Sequence, residues 1–235
     1  MYHVVMVIQD DSRERQMIDR FNLFVPKDHS RGDIDAFLEL DGTEIPFELK
    51  STTSDTFVSA RDFGPNHIKK YRDKKMHWLF GFYSTSETQA DYFVYCSPSD
   101  MEPWYEQIEA IISRDAALAD ILPNKVNQTI MRSIMGNRIV YTYKDAKDLL
   151  KNQLKKQEYL DHMDLDKGYS PSRMTELLRM RADYLLRRGL TLNNPHINKD
   201  IFVGKPHITN EPALTLRKMV KSYLENSRAT EDAAA

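Results

Sequence analysis

The stretch Asp33-Ile34-Asp35-Ala36-Phe37-Leu38-Glu39-Leu40-Asp41-Gly42-Thr43-Glu44-Ile45-Pro46-Phe47-Glu48-Leu49-Lys50-Ser51-Thr52-Thr53 is where acids, a lysine and a predictable geometry coincide. Two apolar runs flank Asp41-Gly42, a dipeptide suited to the positive φ angles of a type I′ hairpin turn. With that pair at the tip, Asp35 faces Glu48 across the ladder and Asp33 faces Lys50. Strand side chains alternate, so these four charged groups share one face, while Ile34, Ala36, Leu38, Phe47 and Leu49 share the other. One face is expected to be core and the other a site.

Carboxylates opposed across a strand pair repel each other. A divalent cation between Asp35 and Glu48 would remove that penalty, and a few carboxylates completed by water and phosphate describe a Mg²⁺ site. Lys50, on the face of Glu48, can orient an attacking water and stabilise charge on a phosphate. Gly32 before the acids and Ser51-Thr52-Thr53 after the lysine favour a site over a solvated hairpin with an exposed Asp33–Lys50 ion pair.

Gly32-Asp33-Ile34-Asp35 followed by Glu48-Leu49-Lys50-Ser51 resembles the core motif of the PD-(D/E)XK nuclease superfamily, an Asp on one strand and Glu-x-Lys on the next. The resemblance implies Asp35 and Glu48 as metal ligands, Lys50 as the residue that positions and activates water, and Asp33 as a secondary catalytic candidate. It implies Mg²⁺, with Mn²⁺ able to substitute. The fold class it implies is α/β (α+β), a mixed central sheet of αβββαβ restriction-endonuclease-like type flanked by helices. The helix before the hairpin sometimes contributes an acid in this family, and Glu14 is the matching residue.

The chain has 235 residues, enough for a generous core, with 41% hydrophobic and 29% charged residues as in ordinary soluble proteins. No apolar run approaches the roughly 20 residues of a membrane span. The apolar cluster in Met1 to Gln9 lacks a basic leader and a cleavage pattern and is expected to be a strand. The single cysteine, Cys96, excludes an internal disulfide and a thiolate zinc cluster, fits a cytoplasmic location, and lies in an apolar run as a buried thiol.

The net charge of −2 conceals a division. Residues 1–124 hold 13 Lys and Arg against 22 Asp and Glu, residues 125–228 hold 20 against 11, and the last residues add Glu231 and Asp232. The predicted organisation is therefore a catalytic core over 1–124, a basic, mainly helical DNA-binding and dimerisation part over 125–228, and a disordered tail over 229–235. An acidic, metal-ready half joined to a basic half suits an enzyme acting on a polyanion, and a solvated basic helical face would look the same.

In chain order, a helix beginning at Asp10-Asp11-Ser12 ends before Pro26, and the hairpin follows. Pro65 opens a short cationic helix through Lys75. Strands over 76–84 and 91–97 and an amphipathic helix over 101–118, with Pro123 as a boundary, complete the core. Beyond it, a small strand over 138–143, a helix over 145–163, a helix from Pro171 capped by Ser170, with Ser172 as the alternative cap, and ending at Gly189, and a helix over 214–224 are expected, with a connector over 190–209. Arg61, His67, Lys69, Lys70, Arg173 and Arg179 are the candidate DNA contacts.

The function expected from these residues is a Mg²⁺-dependent, sequence-specific double-stranded DNA endonuclease, similar to a type II restriction enzyme and acting as a homodimer. The alternatives are a structure-selective repair or junction-resolving nuclease, and a non-catalytic DNA-binding module on a nuclease fold.

Overall fold

The computed structural model describes residues 3–26, 34–54, 56–84 and 89–234. Helix α1 (His3–Phe21) precedes the hairpin of β1 (Ala36–Leu40) and β2 (Thr43–Thr52). A short β3 (Thr56–Val58), α2 (Pro65–Asp73), β4 (His77–Tyr83) and β5 (Ala90–Cys96) follow, and a long α3 (Pro98–Lys125) leaves the sheet. Then come α4 (Gln128–Met135), α5 (Tyr143–Leu149), α6 (Lys156–Asp161), α7 (Pro171–Arg188), β6 (His196–Asn198), a 3₁₀ turn over Lys199–Phe202 and α8 (Pro212–Ala234).

The fold is mixed α/β. Its four-stranded sheet has the order β1-β2-β4-β5, antiparallel, parallel, antiparallel. The hairpin has the expected register, Ala36 opposite Phe47 and Leu40 opposite Thr43, because Asp41 (φ 52°) and Gly42 (φ 77°) both take the positive φ of a type I′ turn. Parallel pairing of β2 with β4 requires a crossover, which α2 supplies. Among the described residues the β1 edge is met only at Phe24, which exchanges backbone hydrogen bonds with Phe37 at 2.9 and 2.8 Å.

Both faces of this sheet are packed, as a parallel interior demands. On one, Ala36, Leu38, Phe47, Leu49, Leu79 and Phe93 bury against Met17 and Phe21 of α1 and Leu216 and Val220 of α8. On the other, Trp78, Phe80, Phe82 and Val94 meet Ile68 and Tyr71 of α2, Met101, Trp104 and Tyr105 of α3, and Phe57 and Ile197 of a small β3–β6 sheet. The face of Glu48 and Lys50 is thus a second core with charges set into it, not an open surface. Ile34 belongs to this core and not to that of Ala36 and Leu38, because strand alternation stops at the bend formed by Asp35.

Contacts divide the chain into two compact units, Met1–Ile108 with Leu192–Ala235, and Glu109–Thr191. The expected division at residue 124 falls inside α3, which runs through Pro123, and the segment after 191 returns to the first unit. The charge contrast shrinks accordingly: the second unit holds 15 Lys and Arg against 11 Asp and Glu, net +4, and the first 18 against 24, net −6. The second unit has its own core of Met131, Tyr141, Leu150, Tyr159, Tyr169, Met174 and Leu177.

Other local expectations change. Residues from His3 onward are helical and continuous with α1, so the strand over Met1 to Gln9 does not form. Among the described residues no sheet strand begins before Ala36, so that β-branched segment has no pairing partner. Residues 138–143 contribute one bridge, Tyr141 to Tyr169, and not a strand. The helix expected over 145–163 is two helices, broken where Lys151 (φ 50°) and Asn152 (φ 59°) turn left-handed and Asn152 N–H donates to Lys147 O at 3.1 Å. The connector over 190–209 contains β6, and α8 continues through Ala234 where a disordered tail was expected. Helix α7 begins at Pro171 with Ser170 capping Arg173 N–H and ends at Gly189, as anticipated, but Tyr184 and Leu185 at its end are exposed.

Candidate active site

Glu48 and Lys50 project from the middle of β2 into the core face, level with Trp78 and Phe80 of β4. Asp35 sits one residue before β1, and its Oδ2 accepts a hydrogen bond from the backbone N–H of Leu49 at 2.8 Å. That bond fixes the carboxylate beside the following residue of β2. Lys50 Nζ lies 2.7 Å from Glu48 Oε1 and 4.0 Å from Asp35 Oδ2. The three predicted groups therefore converge at one end of the hairpin, with side-chain exposures of 7% for Glu48, 22% for Lys50 and 23% for Asp35.

Electrostatics follow from this burial. Desolvation and the neighbouring Glu48 carboxylate push the Asp35 pKa up to about 7, against the opposing pull of Lys50 and the Leu49 N–H. Burial works against the Lys50 charge too, but Glu48 and Asp35 outweigh it and hold Lys50 above the ordinary lysine value. Lys50 is thus an ammonium, a donor and charge stabiliser, not a proton acceptor.

Helix α2 lies over this corner. The buried Tyr71 hydroxyl donates to the Glu48 carboxylate, and desolvation together with that anion raises the Tyr71 pKa. Tyr71 was not singled out from the sequence, where the lysines of Pro65 to Lys75 dominate. The signal was its place one helical turn after His67, on the side opposite Lys69. His67 stacks on Phe63 at 5.2 Å, and its Nδ1 accepts from Gly64 N–H at 3.4 Å. Desolvation and the neighbouring Lys70 lower its pKa, opposed by Glu48 and Asp62. Glu14 of α1 acts electrostatically on both Asp35 and Lys50.

Beside Lys50 a cleft of about 550 Å³ opens between α1 and the end of β2. Arg13, Glu14, Lys50, Thr53 and Ser59 are among its lining residues. Its far wall is held by Thr52, whose hydroxyl donates to Thr56 O at 2.7 Å.

The remaining candidates are dispersed. Asp33 lies outside the described residues. Arg61 is exposed in a turn, and Lys69 is exposed and paired with Asp73 on α2. Lys70 is half-buried near His67. In the second unit Arg173 pairs with Glu176, and Arg179 Nε donates to Val126 O at 2.8 Å, so both arginines are engaged within their own unit.

Among the described residues no group of three or more His, Cys, Asp and Glu side chains is gathered as a ready metal cage. The donor set instead fits a cation that keeps most of its shell in water and phosphate: two carboxylates at one corner, one with its pKa raised partly by the other. No helix among the described residues is long and apolar enough to cross a membrane. No family model and no curated protein matches the chain, so the roles of these residues rest on geometry and chemistry.

Proposed function

We propose that the chain is a Mg²⁺-dependent endonuclease of the PD-(D/E)XK kind that hydrolyses phosphodiester bonds in duplex DNA at specific sequences. The observation that carries this reading is the convergence of Asp35, Glu48 and Lys50 on one partly buried corner, with Lys50 Nζ 2.7 Å from Glu48 and 4.0 Å from Asp35. The element order supports it: a helix, an edge segment at Phe24, the acid-bearing hairpin, the crossover α2 and a parallel β4. This order parallels that expected of an αβββαβ core, with the bridge at Phe24 in the place of a first strand.

Asp35 and Glu48 would hold the metal, which when bound supplies Lewis-acid stabilisation of the phosphate charge. The chain's own residues do the rest. Lys50, kept protonated by both carboxylates, hydrogen-bonds to the oxygen of the attacking water and offsets negative charge as the new P–O bond forms and the ester P–O bond breaks, the water's proton passing to solvent and the leaving oxygen taking one from it. Tyr71 holds the Glu48 carboxylate in place from α2. The hydroxyl-lined cleft beside Lys50 accepts the scissile strand.

The test is incubation of the protein with long mixed-sequence duplex DNA, with Mg²⁺ or with EDTA, beside Lys50→Ala. Discrete fragments that require both Mg²⁺ and Lys50 are expected, with a loss of about 10³-fold in the variant. A smear would replace sequence specificity by non-specific cleavage. Cutting confined to a branched duplex would make the enzyme structure-selective. No cleavage of either substrate overturns the hydrolytic reading.

A further inference from the structure

The second unit carries a group of exposed lysines, two of which its own stability does not explain. Helix α5 ends and α6 begins across a six-residue turn, 150–155, and Lys147, Lys151, Lys155 and Lys156 are exposed along it. Lys147 and Lys151, at the end of α5, complement the negative end of that helix. Lys155 and Lys156 are the cap and first residue of α6, where the positive end of the helix disfavours cations.

Nearby acids do not neutralise the four. Asp145 is taken by Arg138 and by Thr142, and Asp148 by Lys144. Glu158 accepts from the Lys155 backbone N–H at 2.5 Å, and Asp161 accepts from Gln157. Among the described residues, none of the four lysines forms an ion pair.

The turn is also fixed. Leu150 is buried, Asn152 N–H closes onto Lys147 O, Gln153 N–H donates to Leu150 O at 3.2 Å, and Arg181 of α7 holds Gln153 Oε1 at 2.9 Å. The backbone of the turn is therefore ordered before any partner arrives, which lowers the entropy cost of binding. We propose that this turn is a docking surface for the phosphate backbone of duplex DNA, the four lysines acting as point charges and reading no bases. The choice of DNA as partner rests on the nuclease reading; the surface itself does not. Its place differs from the α7 arginines, which are engaged within the unit.

The experiment is anisotropy of a fluorescein-labelled duplex titrated in EDTA, across a salt series. It compares the protein with a variant carrying Lys→Gln at 147, 151, 155 and 156. A control carries Lys→Gln at 74, 125, 218 and 221. The turn variant is expected to bind at least about tenfold more weakly, with the slope of log affinity against log salt reduced by about 0.9 for each lysine that meets a phosphate. The control is expected to change neither quantity as much, and both variants keep the parent's urea midpoint. Equal losses in turn variant and control, or none in either, overturn the surface. Mg²⁺-dependent cleavage with binding unchanged in the turn variant overturns the surface and leaves the nuclease reading intact. Lysine-dependent binding without cleavage does the reverse. A parent protein that neither binds nor cuts overturns both.

Discussion

Glu48–Lys50 and Lys144–Asp148 are the same kind of ion pair at nearly the same separation, 2.7 and 2.5 Å, in opposite surroundings. The first has side chains 7% and 22% exposed and a second carboxylate close by; the second, on α5, has side chains 83% and 62% exposed. An exposed pair is screened by water and contributes little. A buried pair pays a desolvation cost that its attraction does not reliably repay, so folding alone gives no reason to keep it. A charge cluster kept at the end of this hairpin is what the proposed chemistry would account for.

Replacing one partner should expose that contrast most strongly. Lys50→Ala leaves two carboxylates facing each other and is expected to lower unfolding free energy by about 3 kcal/mol in urea titration at neutral pH. The double replacement Glu48→Leu with Lys50→Met should recover to within about 1 kcal/mol of the parent. A double variant as unstable as the single one would mean that the pair is structural.

The next effect has the opposite sign. The Asp35 pKa is raised from 3.8 to about 7 in the folded chain, so between those values the folded state binds more protons than the unfolded state, and stability falls as pH rises through that window. Asp35→Asn, which can still accept from Leu49 N–H, should therefore be the more stable protein by about 2 kcal/mol at pH 8, with the advantage gone by pH 4. A stability difference that does not narrow towards acid would remove the strained carboxylate from the account.

Tyr71→Phe deprives the buried Glu48 of one donor and should cost about 1 kcal/mol by urea titration. Under the nuclease reading it should also raise the Mg²⁺ concentration needed for half-maximal cleavage, a shift that packing alone would not give. Smallest of all, Lys144→Ala is expected to leave the urea midpoint where it was; a clear change there would show that burial is not what separates the two pairs.

What the sequence discloses about this arrangement depends on how local the determinants are. The register of β1 and β2 is legible because Asp41 and Gly42 alone set it. Helix α7 is legible because Ser170, Pro171 and Gly189 mark both its ends. The β3–β6 ladder is three residues a side between segments far apart in the chain, and nothing local marks it. The break after Leu149 has no glycine or proline, only Lys151 and Asn152 in left-handed conformations stabilised by tertiary burial of Leu150. Within the site, Asp35, Glu48 and Lys50 could be read from one hairpin, whereas Tyr71 reaches Glu48 only because α2 crosses over to bring β4 alongside β2.

The discontinuity of the first unit has a consequence for the order of events on the ribosome. Residues 109–191 are contiguous, and their core can close as soon as they emerge. The first unit waits for the segment after residue 191: Phe93 of β5 has Ile208 as its bridge partner, Phe57 has Ile197, and α1 has α8. Until residues 192–234 have been made, the β5 edge and the apolar side of α1 are left without these partners, and such edges recruit other chains. The nascent chain is thus most prone to aggregate in the interval after residues 1–191 have emerged and before residues 192–234 have joined them.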